Sequence, residues 1–133
     1  MTTSKTSPFL RRVLLADAAT SGASGLLMTL AAGPLADWLG VPAALLRYAG
    51  LSLLPFAALV AYLATREAPP RGAVWAVIVL NALWAADSIL LLAGGWVGPT
   101  ALGYAFVIAQ AVVVAAFAEA QYIGLRKSQT AAA

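Results

Sequence analysis

Polar and apolar positions are unevenly spread along this chain, with long apolar runs separated by short segments rich in Gly, Pro and basic residues. Four runs, about Leu10 to Ala32, Ala43 to Thr65, Ala73 to Gly94 and Thr100 to Leu125, each reach the roughly 20 residues that cross about 30 Å of hydrocarbon as helix. In lipid every backbone N–H and C=O must be paired internally, which leaves helices or closed barrels. These runs are too long and too uniformly apolar for alternating barrel strands. The pattern predicts an all-α membrane protein, a four-helix transmembrane bundle.

The connections carry turn chemistry. Gly33-Pro34 and Val41-Pro42 bracket a first loop in which Asp37 and Trp38 form an interfacial patch. Ala68-Pro69-Pro70-Arg71-Gly72 separates spans two and three, and Gly94-Gly95-Trp96-Val97-Gly98-Pro99 separates spans three and four. Prolines there cannot donate a helical hydrogen bond. Connections this short make sequential spans antiparallel, in up-down-up-down order. Residues 1–133 are expected to form one four-span domain.

Basic residues set the expected orientation. Lys5, Arg11 and Arg12, then Arg66 and Arg71, then Arg126 and Lys127 all fall on one side, seven of the eight Lys and Arg in the chain. The positive-inside rule then places both termini in the cytoplasm of a multi-pass protein of the inner (plasma) membrane. Arg11-Arg12 ahead of an apolar stretch also resembles a signal peptide, but Asp17 and Thr20-Ser21-Gly22 interrupt it and the stretch is too long. The first span is therefore expected to be retained.

The halves echo each other faintly. Val41, Leu46, Tyr48 and Ala49 recur at identical spacing as Val97, Leu102, Tyr104 and Ala105, and Tyr62 and Arg66 match Tyr122 and Arg126. Two readings stay open: a tandem two-helix repeat about an axis along the membrane normal, and chance matching of apolar sequences.

Composition narrows the chemistry. Hydrophobic residues make up 62% of the chain and charged residues 10%, which excludes both an ordinary soluble domain and a disordered one. There is no His and no Cys, so thiolate or imidazole metal sites, iron–sulfur clusters, disulfides and Ser–His or Cys–His nucleophiles cannot form within this chain. No metal or cofactor is expected. The net charge of +3 comes from residues flanking the spans, so the expected partner is the lipid bilayer and not nucleic acid.

Charges inside a span cost about 2.5–3.5 kcal/mol at its centre and each requires a reason. Asp17, Arg47, Asp87 and Glu119 are the candidates. Asp17, Thr20, Ser21 and Ser24 follow helical spacing in the first span, and Asn81 and Ser88 share a face of the third with Asp87 at its edge. One reading is a polar cavity between these spans with Asp17 or Asp87 as a protonatable site; the other is a packed, hydrogen-bonded seam. Arg47 and Asp87 lie in the same leaflet, within reach of an ion pair. Glu119, near a span end, is expected to reach headgroup water or Arg126. Ala18/Gly22 and Ser21/Gly25 thin the first helix for close approach to another.

The size and four-span plan are similar to those of the small multidrug resistance transporters, which also carry an acidic residue in the first helix. Asp17 alone maps onto that feature; the long first loop, Arg47, Asp87 and the Arg66–Arg71 linker have no counterpart there. The likeness is one of plan, not family membership.

Three functional classes remain. Foremost is a non-catalytic accessory or assembly protein, in a homodimer or a larger membrane complex, given the lack of catalytic groups and the small-residue faces. Next is a proton- or ion-coupled carrier or channel using Asp17 and Asp87. An enzyme acting on a lipid or quinone ranks last, because only carboxylates or Tyr could serve it.

Overall fold

The computed structural model describes residues 7–95 and 97–132, with side chains up to 127. Within them are the helices α1 (Pro8–Leu30), α2 (Ala32–Leu39), α3 (Ala43–Thr65), α4 (Arg71–Ala93) and α5 (Ala101–Ala132), and no strand. Four of these, α1, α3, α4 and α5, are long and apolar enough to cross a membrane, so the architecture is a four-helix bundle.

Local chemistry fixes the helix ends. Ser7 caps α1 by accepting from Leu10 N at 3.1 Å, and Pro8 occupies a first-turn position where its missing N–H is not needed. Thr100 does the same for α5, accepting from Gly103 N at 3.1 Å. The segment expected to be a loop around Asp37 and Trp38 is instead the eight-residue helix α2. Pro34 does not prevent this, because it lies in the first turn of α2. Ala32, Leu35 and Leu39 turn inward from α2 while Asp37 and Trp38 point outward. Gly40, at φ 68°, ends α2 in the left-handed conformation.

Packing divides the bundle into two pairs, α1 with α3 and α4 with α5. The first pair closes on glycine: a Cβ at Gly50 would lie 2.8 Å from both Gly25 O and Thr29 N. α1 also meets α5, where a Cβ at Gly124 would lie 2.9 Å from Leu10 Cα. By contrast α3 and α4, though consecutive, scarcely touch, and α1 and α4 stand on the diagonal. Three edges of the square are closed and the fourth is loose.

At the end bearing both termini, Leu10, Leu14, Val60, Leu63, Val74, Val77, Ala118 and Leu125 draw all four long helices into one apolar plug. A second cluster at the α2 end, Met28, Ala32, Leu35, Leu39, Val41 and Leu46, comes from α1, α2, α3 and the segment joining them, with Phe106 of α5 packed against it and no residue of α4. Arg66 lies over the Tyr62 ring at 5.6 Å and Arg126 over Tyr122 at 5.8 Å, so the echoed Tyr–Arg pairs adopt the same stacked arrangement.

Candidate functional site

Because the α2-end cluster excludes α4, a cavity of about 340 Å³ remains between the two helix pairs. Its wall on α1 runs from Asp17 to Met28, eleven helical rises or about 16 Å. Leu45, Leu46, Ala49 and Leu53 line it from α3. Trp84, Asp87, Ser88 and Leu91 face it from α4, and Phe106, Gln110, Val113 and Phe117 are among those from α5. The walls are mostly apolar.

Asp17 forms the floor and is 1% exposed. Its Oδ1 accepts from Ser21 Oγ at 2.9 Å, one turn along α1. Its Oδ2 accepts from Asn81 Nδ2 of α4 at 2.8 Å and from Gln121 Nε2 of α5 at 2.6 Å. Asn81 Nδ2 also donates to Gln121 Oε1 at 3.0 Å. All three groups facing the carboxylate are neutral donors, an arrangement that serves an acceptor-only oxygen pair. The network joins both helix pairs across the diagonal of the bundle. It satisfies a buried acid that would otherwise be costly in lipid.

A second polar group lies higher on the wall. Trp84 Nε1 donates to Gln110 Oε1 at 2.8 Å, and Gln110 Nε2 donates to Ser88 Oγ at 2.8 Å and to Val107 O at 2.9 Å. Ser88 Oγ in turn donates to Trp84 O at 2.8 Å. These bonds fasten α4 to α5 and hold the indole against the cavity.

The residues singled out from the sequence fall around this space. Asp17, Thr20, Ser21, Ser24, Asp87 and Ser88 all line it, and Asn81 sits behind the floor, bonded to Asp17. The Arg47–Asp87 ion pair does not form. Both residues are exposed, and α3 and α4 approach each other at few points along their length. Glu119 is exposed near the end bearing the termini and takes no part in the cavity.

Gln110 and Gln121 belong to this candidate site and were not singled out from the sequence. They are the fourth span's only amides and lie eleven residues apart, close to three turns, hence on one face. That periodicity was the available signal. Among the described residues no three acidic side chains converge as a metal site would require. The cavity does present two carboxylates to an apolar space, with no basic side chain among its described lining residues. Such a space favours a cation with a hydrocarbon body. Comparison with protein-family models, curated proteins and solved structures gave no match.

Proposed function

We propose that the chain is a small ion-coupled membrane carrier for a compact amphipathic cation, with Asp17 and Asp87 as its acidic groups. The observation that carries this reading is the cavity itself, which has Asp17 at its floor, Asp87 at its rim and an apolar wall between them. An arriving cation, or a proton, competes with Asn81 and Gln121 for the same Asp17 oxygen. Loss of those bonds unfastens the α1–α3 pair from the α4–α5 pair, which links occupancy to movement. The carrier reading places both termini in the cytoplasm of a plasma membrane, following the basic end of the bundle.

The small-residue face that counted toward the accessory-protein reading is used within the chain. Gly25 is packed against Gly50, Leu53 and Leu54 of α3, and Gly22 faces Ala57. Those residues are not offered to a partner helix.

Benzyltrimethylammonium and its uncharged isostere neopentylbenzene test the proposal directly. Purified protein should bind the cation in preference to the hydrocarbon, and Asp17→Asn should remove that preference. In proteoliposomes the cation should be taken up against an imposed proton gradient, with Asp17→Asn abolishing uptake and Asp87→Asn reducing it. Uptake unaffected by either change in a folded bundle would sink the carrier.

A further inference from the structure

The end of the bundle bearing both termini concentrates guanidinium groups that the cavity does not use. α1 begins where α3 ends and the two pack along their length, so Arg11 and Arg66 share one edge of that end. Arg11 Nη2 donates to the backbone carbonyl of Arg66 at 3.3 Å, and Arg66 Nη1 donates to the Tyr62 hydroxyl at 2.6 Å. Arg12 follows Arg11, and Arg71 lies five residues beyond Arg66, so these segments set four arginines against Glu67.

Tyr62 lies one turn before Arg66, so the guanidinium folds back along α3 instead of reaching out to water. It is held at the level of the tyrosine ring, the depth at which aromatic side chains meet lipid headgroups. Among the described residues the bonds of both guanidinium groups go to neutral oxygens. A guanidinium has five N–H donors, so each keeps donors for an anion. Toward the bilayer centre the surface turns apolar. Leu15, one turn along α1 from Arg11, is 49% exposed, and Leu59, one turn along α3 from Tyr62, is 39% exposed.

We infer that Arg11 and Arg66 form a site for the phosphate of an anionic glycerophospholipid, whose acyl chains lie against Leu15 and Leu59. A phosphate diester presents the oxygen pair that a guanidinium fork matches. An anion between the two arginines also offsets the repulsion of their like charges, which carbonyl and phenol oxygens do only in part. Free phosphate would satisfy the donors and leave the apolar surface beneath them without a counterpart; a lipid meets both. The bound lipid ties the first turn of α1 to the end of α3, reinforcing from outside the edge that Gly25 and Gly50 close within. Neither Asp17 nor Asp87 takes part, so the site stands or falls apart from the carrier reading.

The absence of cysteine makes the site measurable with one label at a time. Ala19 is exposed two turns along α1 from Arg11, and Ala19→Cys there carries a fluorophore without altering Leu15. The whole protein is placed in phosphatidylcholine vesicles containing chain-nitroxide phosphatidylglycerol or chain-nitroxide phosphatidylcholine. The ratio of quenching by the two lipids reports local preference, because the depth of the label cancels. Phosphatidylglycerol should be preferred at position 19, and Arg11→Gln or Arg66→Gln should each lower the preference by up to about fivefold, the pull of one juxtamembrane basic residue on anionic lipid. Lys127→Gln removes the same charge at the same end and should leave the ratio at position 19 unchanged. Lys127 stacks on Phe9, which lies about 200° round α1 from Arg11.

An equal loss with Lys127→Gln would overturn the site in favour of diffuse attraction to the basic end. So would an equal preference reported from Ile123→Cys on α5, which is 42% exposed. Relief of quenching by excess inorganic phosphate would overturn the lipid in favour of a free anion. Equal quenching by the two lipids in the otherwise native chain would overturn the site altogether.

Discussion

Gln121 Nε2 lies 2.6 Å from Asp17 Oδ2, joining helices whose contact residues are 104 positions apart in sequence. Gln121 is fully buried and Asp17 nearly so. The bond is the shortest of the three that the carboxylate accepts, and it ties the first span to the last.

Replacing Gln121 by Leu keeps the volume and removes both a donor to Asp17 and an acceptor for Asn81. A buried acid short of donors costs about 1–3 kcal/mol. Gln121→Leu is expected to lower stability by about that amount, read from reversible unfolding in mixed micelles. Asp17→Asn in the same background should recover part of the loss. Additive losses in the double mutant would mean that the two side chains do not act together.

The α1–α3 seam makes a sharper demand on size. A Cβ at Gly50 meets backbone atoms of Gly25 and Thr29 at 2.8 Å, and backbone cannot rotate away. Gly50→Ala is expected to push the helices apart and cost about 1–3 kcal/mol, as overpacked cores do. Gly72→Ala, where nothing lies within 4 Å, should be neutral or slightly stabilising. Thermal denaturation in detergent distinguishes the two.

Gly40 combines a φ of 68° with contact to Gly98 O. Gly40→Ala carries both the conformational penalty of the left-handed region, about 1–2 kcal/mol, and the clash. It should release α2 without unfolding the spans. Faster amide exchange at Thr100, whose N–H is bonded to Leu39 O, would register the release, with protection unchanged at Val77 in the plug.

Orientation is checked by reporters. A fusion after Lys127 should report the cytoplasm, and one inserted at Gly95 should report the opposite compartment. Identical compartments would mean that α5, the one span between the two sites, does not cross the membrane.

The spans were legible because hydropathy is the property that the bilayer selects, and all four run as helix from within two residues of their expected starts. Asp17 and Asn81 were legible for a related reason, since a polar group in an apolar run demands a partner. The identity of that partner was not, because Gln121 follows the charged Glu119 and precedes Tyr122 and Arg126, surroundings that resemble an interface. α2 was hidden by Gly33-Pro34, a turn dipeptide that also suits a helix's opening turn. The Arg47–Asp87 pairing failed on topology: equal depth was readable, but the spacing between α3 and α4 depends on packing with α1 and α5.

The α3–α4 seam is bound at one end by the short connection through Pro69 and Pro70 and by the apolar plug, and it parts toward the other. The two helix pairs are therefore joined more firmly at the end bearing the termini than toward α2, where α4 is left out of the core. Lateral pressure from acyl chains should act first on the less firmly joined end, so cone-shaped and cylindrical lipids should differ in how far they let the pairs separate there.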